Sequence, residues 1–434
     1  MKSIKHTMTL QNRRCRHIVG RRFFASGIPG YLWAAIYSGK KQDKLQTIRS
    51  TAGDASLWRK VLVHVFPCYR VLLTLSLIAL PVLACAEEDV LRLLVWHGYT
   101  PEEYVEAFEQ QIELKYGRKI KLQVTYVDGP EDFYARIRDK SVDLVTLTHH
   151  HFKDERFKYI EKGMLLPIET QNLGNFKSVI PALQKADFLS SNGNIFAVPV
   201  GQGPYGLFYS VEKIETPPKS WKILWNPDHK DDYILGGNEY LYNICMAALA
   251  WGYPRDKINS FDTLNNKGFK DELKQLATNA HSFWIGVDTA DDLAGRSLAA
   301  AWGDSLDKLK ERGETWKMAE PEEGTLSWID SFAMTWALTD KPFLKKVAEE
   351  WIDRLLEPDY QLDHLVRKVG ILPTTTNITS RLTPREKEKL HIYSPDHFKE
   401  DRILLPTFSN RDRNGFMILW KEAMKGREIK DGNN

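Results

Sequence analysis

Apolar positions along the chain fall into short runs of strand length separated by stretches of helical period, and this alternation predicts an α/β fold. Leu91–Val95 is an apolar strand, and Thr100-Pro101-Glu102-Glu103 after it has the make-up of a helix start, with Thr as the cap and Pro at the first helical position. Val105, Phe108 and Ile112 then recur at three- and four-residue spacing until Gly117 stops the run. Ile120, Leu122, Val124 and Tyr126 alternate as a half-buried strand, and Asp128-Gly129 turns the chain. A second helix through Phe133 and Ile137 leads to a strand at Val142–Val145. The β-α-β-α-β order implies a parallel sheet, whose ligands sit beyond the carboxyl ends of its strands. On that rule Trp96, His97 and Tyr99 after the first strand, and Thr148, His149, His150 and His151 after the third, rim one crevice.

Further on, the apolar runs Ile195–Val200 and Leu207–Val211 are joined by Gly201-Gln202-Gly203-Pro204-Tyr205-Gly206, a literal G-x-G-x-x-G. A dinucleotide fingerprint needs a helix opening after the glycines with free N–H groups facing pyrophosphate, whereas here a strand-like run follows and Pro204 carries no N–H. The segment is read instead as a glycine-rich connection between strands, a crossover or hinge between two lobes. The second lobe begins near Pro217-Pro218, with an apolar helix at Asn238–Trp251 closed by Gly252, and Ala299–Trp302 approaches another strand end. No internal repeat interrupts this order.

Charge divides the chain in a way that hydropathy alone does not. The 434 residues hold 60 Lys+Arg and 57 Asp+Glu. Residues 1–86 contribute 14 basic and 2 acidic side chains, which leaves 46 and 55, net −9, for residues 87–434. A nucleic-acid-binding body is not expected from that balance, since phosphate tracking needs excess Lys/Arg. The remaining 348 residues are enough for two lobes. Val71–Ala84 is a 14-residue apolar run preceded by Arg59, Lys60 and Arg70, too short to span a bilayer and built like a secretory signal. Ala84-Cys85-Ala86 is a cleavage site for soluble release; the competing reading makes Val82-Leu83-Ala84-Cys85 a lipobox that anchors the chain through an acylated Cys85. Residues 1–60 are too long for a signal n-region, and translation is expected to begin near Val61 at a non-Met codon. Of the four cysteines only Cys245 belongs to the mature body, which excludes an intrachain disulfide framework there.

Ser220-Trp221-Lys222-Ile223-Leu224-Trp225-Asn226-Pro227-Asp228-His229-Lys230, together with Glu322-Glu323-Gly324-Thr325-Leu326-Ser327-Trp328-Ile329-Asp330-Ser331, resembles the spermidine/putrescine-binding periplasmic proteins that feed ABC transporters. Val95-Trp96-His97-Gly98-Tyr99, Asp143-Leu144-Val145 and Trp302 fall in the family's order, and the resemblance covers about residues 90–430. It implies a two-lobed periplasmic-binding-protein type II fold with hinge crossovers and a ligand cleft between lobes. Residues 87–200 plus about 330–376 would form lobe 1, and about 206–326 plus 378–434 lobe 2, after a leader (1–60) and a signal peptide (61–86). The resemblance further implies aromatic walls at Trp96, Tyr99, Trp302 and Trp328, an amine-anchoring carboxylate at Asp330, a second acid at Glu239 and a hydroxyl contact at Thr148, with His150 where the family has a tyrosine. The chain departs from the family at Tyr242, which stands where another acid is found, at His149 and His150 in place of tyrosines, and at Ile371 or Leu372 in place of a tyrosine near the last crossover.

The chemistry of such a site stands on its own physics. A protonated amine over an indole face gains about 0.5–2 kcal/mol, and a desolvated carboxylate adds about 1.5–3 kcal/mol through a charge-assisted hydrogen bond. Two or three aromatics and two acids therefore reach the roughly 8 kcal/mol of a micromolar complex. Each residue also has a plainer reading: Asp330 as a turn cap through Ser331, Glu239 as a complement to a helix dipole, Trp96 and Trp328 as core. Trp221 and Trp225 are assigned to packing. The triple histidine with His97 offers metal-binding chemistry, but consecutive strand side chains point to alternate faces, so neither a metal nor a cofactor is expected. No G-x-S-x-G, H-E-x-x-H or Walker loop points to catalysis. The chain thus reads as a non-enzymatic, exported, monomeric solute-binding protein of the periplasm. Its small cationic amine would be delivered to an ABC permease; the alternatives are presentation to a membrane sensor and, as a minor reading, capture of a metal.

Overall fold

The computed structural model describes residues 88–127, 131–390 and 402–431. The leader, the signal segment with Cys85 and the turn expected at Asp128-Gly129 lie outside the described residues. Among those residues, eleven strands form one curled sheet. They are β1 (Asp89–Trp96), β2 (Ile120–Val127), β3 (Leu144–Thr148), β4 (Val198–Ser210), β5 (Tyr233–Gly236), β6 (Ser282–Trp284), β7 (Leu298–Ala301), β8 (Trp316–Met318), β9 (Thr325–Met334), β10 (Leu372–Pro373) and β11 (Arg402–Leu404). The main path runs β2-β1-β3-β9-β4-β7-β5-β6, with β8 and β10 on β4 and β11 on β9.

β1 pairs in parallel with both β2 and β3, as two short β-α-β units require. Helix α1 (Glu102–Tyr116) buries Val105, Phe108 and Ile112 and ends at Gly117, whose φ of 65° suits a residue without Cβ. Helix α2 (Glu131–Arg138) buries Phe133 and Ile137. Three local expectations shift. Thr100 does not cap α1: its buried hydroxyl donates to the Tyr126 hydroxyl at 3.1 Å, and the helix opens after Pro101 instead. The third strand starts at Leu144, because Asp143 before it is held by the Arg92 backbone N–H and guanidinium. The alternation of β2 also breaks near its end, where Tyr126 is exposed and Val127 is buried.

The larger correction concerns the glycine-rich segment. It is not a connection between two strands but the middle of one 13-residue strand, β4. The N-terminal part of β4 pairs antiparallel with β9, and Gly206–Tyr209 pairs with β7. Because β9 in turn pairs with β3, the chain passes from one half of the sheet to the other along β4 and β9. Leu91, Leu93 and Val95 pack with Phe108, Val200, Phe332, Trp351 and Tyr360, while Leu94 on the opposite face packs with Phe133, Leu147 and Tyr159. A separate core gathers Leu207, Trp221, Ile234, Met246, Leu276, Ala299 and Phe416. Ile378, Leu382 and Leu390 pack with the Leu91 group, and Leu405 and Phe408 with the other.

Helix α3 (Tyr240–Ala250) is apolar all round, and every residue from Leu241 to Ala250 is buried. The amphipathic α4 (Lys267–Asn279) and the C-terminal α5 (Asn410–Asp431) cover it. Burial of side chains such as Ile244 and Met246 contributes about 1.5–3 kcal/mol each, which fixes the start of α3, and so Glu239, against the sheet.

Candidate ligand-binding site

The site is assembled where β9 crosses β4. Trp328 and Asp330 are two residues apart on β9 and therefore share a face. Across the ladder they meet Gly203 and Gly201. A Cβ at Gly201 would lie 2.4 Å from the Tyr99 hydroxyl oxygen, and one at Gly203 would lie 2.5 Å from Cζ2 of Trp328. The two glycines thus clear floor space for the site's aromatic rings, and this close approach is the function of the motif that imitates a dinucleotide fingerprint. Gln202 between them turns to the opposite face and donates to the Pro373 carbonyl at 2.7 Å. The pairing of β9 with β4 shifts register between Asp330 and Ser331, opposite Pro199 and Gly201, and a bulge of this kind re-aims the side chain beside it.

Asp330 is 7% exposed. Tyr99 donates to its Oδ2 at 3.0 Å and Thr148 to its Oδ1 at 2.7 Å, so β1, β3 and β9 converge on one carboxylate. Ser331 makes no contact with it that would support a turn cap. Burial pushes the Asp330 carboxyl up to about 6, while the hydrogen bonds from Thr148 and Tyr99 hold it down. The Tyr99 hydroxyl is pushed well above its usual range, by burial first and then by the Asp330 charge.

A continuous aromatic wall extends from Trp328. Trp302, just after β7, meets Trp328 edge-on at 6.4 Å and also contacts Tyr205 at 4.9 Å, Tyr242 at 5.0 Å and Trp284 at 5.9 Å. Tyr205 is fixed beneath by donating to Asn243 on α3 at 2.7 Å and accepting the Gly236 N–H at 3.1 Å. Glu239 joins the wall by its stem, which lies over Gly236 beside Trp284. Its carboxylate does not cap α3 and makes no hydrogen bond or ion pair among the described residues. The group is half-buried, and burial raises its carboxyl to about 7. Tyr242, where the resemblance implies an acid, is buried in the field of Glu239 and Asp330. Of the two candidates for the missing tyrosine, Ile371 is the one that stands over Gly201 beside Tyr99.

Trp96 and the histidine triplet make contacts of their own. Trp96 ends β1, donates its backbone N–H to Thr146 and meets Phe133 edge-on at 5.0 Å. His149, His150 and His151 form a buried turn after β3. His149 donates from Nε2 to the Leu405 carbonyl at 2.8 Å and accepts the Ile329 N–H at Nδ1, which secures β9 between Trp328 and Asp330. His150 packs between the rings of His149 and His151, and burial holds it well below the usual imidazole range. His97 stacks on Tyr126 instead of joining the triplet. Among the described residues no group of three His, Cys, Asp or Glu side chains is placed to hold a metal ion.

Trp221 and Trp225 are both buried, and they tie the two resembling motifs together. Trp221 donates from Nε1 to the Gly324 carbonyl at 2.9 Å, and Ser220 bonds Glu323. Asp304 follows Trp302 and Gly303 at the end of β7 and is exposed. Asp288 fixes this loop by accepting from the backbone N–H groups of Trp302, Gly303 and Ser305 and from the Ser305 hydroxyl.

The sequence profile of the bacterial extracellular solute-binding proteins matches residues 139–401. The spermidine/putrescine-binding periplasmic protein of Salmonella typhimurium is 25% identical over 321 residues, 72% of this chain and 84% of the relative. That of Escherichia coli K12 is 25% identical over 300 residues, 67% and 80%. In fold, the chain is similar to a spermidine/putrescine ABC transporter substrate-binding protein from Streptococcus pneumoniae, with a TM-score of 0.63 at 16% identity over 78% of this chain and 100% of that one. A putative spermidine/putrescine ABC transporter from Listeria monocytogenes gives 0.62 at 17% over 77% and 99%. The single curled α/β sheet crossed by β4 and β9 and a profile match over more than half its length agree: the chain belongs to the bacterial extracellular solute-binding proteins.

Proposed function

We propose that this protein captures a polyamine of the putrescine/spermidine class in the periplasm and delivers it to an ABC permease, without catalysing a reaction. The observation that carries the reading is the Asp330 carboxylate, buried under hydroxyl donors from Tyr99 and Thr148 and continuous with the wall of Trp328, Trp302 and Tyr242. No Lys or Arg pairs with Asp330 or Glu239 among the described residues, so a cation from solution is the natural partner of both. Ammonium groups would be held by the carboxylates and the methylene chain by the indole faces, with about 0.5–2 kcal/mol for each cation over a ring and about 1.5–3 kcal/mol for each charge-assisted bond. The names of the relatives support the ligand class and the transport partner. A ligand that binds the closed form better than the open one shifts the population toward closure, which is the form a permease would read.

The test is calorimetry of the processed protein with putrescine, spermidine, γ-aminobutyrate, arginine and Zn²⁺. Micromolar or tighter binding of a polyamine, with none of the others competing, is expected. Tight binding of an amino acid or Zn²⁺ with no polyamine heat would overturn the reading.

A further inference from the structure

Tyr99 reaches Asp330 from a loop, three residues beyond the end of β1 and outside the strand ladders, yet its hydroxyl stands 3.0 Å from Oδ2 of that carboxylate. What fixes the loop is a pair of side chains from far along the chain. Tyr360 donates its hydroxyl to the Tyr99 carbonyl, and His364 donates from Nε2 to the Gly98 carbonyl, each at 2.7 Å. Both residues belong to the π-helix Asp359–Val369, a rare winding that is frequent at functional sites. Both are buried, and their rings pack on each other at 5.2 Å with Tyr104 against the two of them. Val369, the last residue of the helix, closes on Gly98, where a Cβ would lie 3.1 Å from its Cγ1.

The same helix is tied to the floor of the site. Gln361 donates from Nε2 to the Val200 carbonyl at 3.0 Å and to the Leu355 carbonyl at 2.8 Å, and its Oε1 accepts the Thr374 N–H at 2.9 Å. Val200 directly precedes Gly201, the glycine that clears space for the Tyr99 hydroxyl. One element therefore grips both the loop that carries Tyr99 and the strand beneath its ring. A carbonyl can only accept, so His364 carries its proton on Nε2, while Nδ1 makes no hydrogen bond among the described residues. Burial lowers the imidazole from its usual range, with the Gly98 carbonyl and Glu103 opposing the effect and Lys368 adding to it. The ring thus works as a neutral donor of a single N–H.

We propose that Tyr360 and His364 are positioning residues of the binding site: by holding the Tyr99 and Gly98 carbonyls they keep the Tyr99 hydroxyl on Asp330 before any ligand arrives. An anchor set in advance raises affinity because its ordering is not charged to the binding step. The consequence for ligand rests on the polyamine reading; the clamp itself acts in the empty protein.

Tyr360→Phe and His364→Phe keep an aromatic ring and remove one donor each, whereas His364→Gln restores an N–H near the Nε2 position. Each is made alone and together with Tyr99→Phe, with melting curves as a check on folding. The Asp330 carboxyl is titrated by carboxyl-carbon NMR in ligand-free protein, and spermidine and putrescine affinities are measured by calorimetry. In the two phenylalanine variants the Asp330 midpoint should rise by about 0.5 pH unit or more, and the affinity for the amine that the wild type binds should fall about 3- to 10-fold. His364→Gln should stay within about 2-fold of wild type. On the Tyr99→Phe background the same substitutions should change neither quantity, because the donor they position is gone. An unchanged Asp330 midpoint in both phenylalanine variants overturns the inference. So does a further loss of affinity on the Tyr99→Phe background, or a His364→Gln protein as impaired as His364→Phe. A wild type that binds no polyamine overturns the proposed function alone, and the Asp330 titration then still decides the clamp.

Discussion

Replacing Asp330 with Asn should stabilise the empty protein while it disables binding. Asp330 is buried, and its carboxyl is raised from 3.8 to about 6, chiefly by desolvation. A shift of about 2 units corresponds to about 3 kcal/mol by which ionisation of this group disfavours the folded state at high pH. The sign follows from the raised folded value. Below about pH 4 both states hold the proton and nothing is lost. Between about pH 4 and 6 the unfolded chain releases it and the folded one does not, so stability falls, and above about 6 the loss is complete. Asparagine removes the charge but offers only one acceptor to two hydroxyl donors, Tyr99 and Thr148, at a cost of about 1 kcal/mol. The Asp330→Asn variant is therefore expected to be about 2 kcal/mol more stable than wild type at pH 8. Chemical denaturation of ligand-free protein at pH 8 and at pH 4 measures it: the advantage should vanish or reverse by pH 4. The same variant should lose about 10-fold or more in amine affinity, since a neutral amide lacks the charge-assisted bond. A variant less stable than wild type at pH 8, or one whose advantage is the same at both pH values, refutes the reasoning.

Amine affinity should rise between about pH 5 and 8, because Asp330 near 6 and Glu239 near 7 must ionise to hold a cation; a flat affinity profile by calorimetry would contradict those assignments. Tyr99→Phe removes a donor that holds the Asp330 carboxyl down, so the midpoint of that pH profile should move upward, with a stability loss of about 1 kcal/mol. Gly203→Ala places a methyl 2.5 Å from Cζ2 of Trp328; displacement of the indole should weaken binding with a cooperative melt retained, read by near-ultraviolet circular dichroism and titration. Trp221→Ala, at a fully buried core residue that makes no contact with Asp330 or Glu239 in the hydrogen-bond network, should cost about 3–5 kcal/mol of stability by denaturation, with the affinity of the protein that remains folded unchanged.

Local pattern carried a good deal of this protein. The period-2 and period-3.6 runs located β1, α1, β2, α2 and α3, and Gly117 ended α1, because these features depend on neighbours within a few residues. The W-x-D spacing on β9 already put Trp328 and Asp330 on one face, and the two quoted motifs proved to be in contact through Trp221 and Gly324. Other features depended on partners far along the chain. Asp330 meets Thr148 across 182 positions and Tyr99 across 231, so its burial and its raised carboxyl follow from strand order, not from local spelling. Gly201 and Gly203 read as a connection between two strands until the register of one continuous β4 set them under Tyr99 and Trp328. His149 resembled a ligand by position and became a brace for β9 once Leu405 and Ile329 took its two nitrogens. The raised carboxyl of Glu239 gave no signal in the sequence, since it comes from desolvation, and desolvation is a property of the folded surroundings. Sequence fixes what each segment can form and which residue types are on offer; the folded sheet decides which of them lose water together, and that loss sets charge, affinity and selectivity.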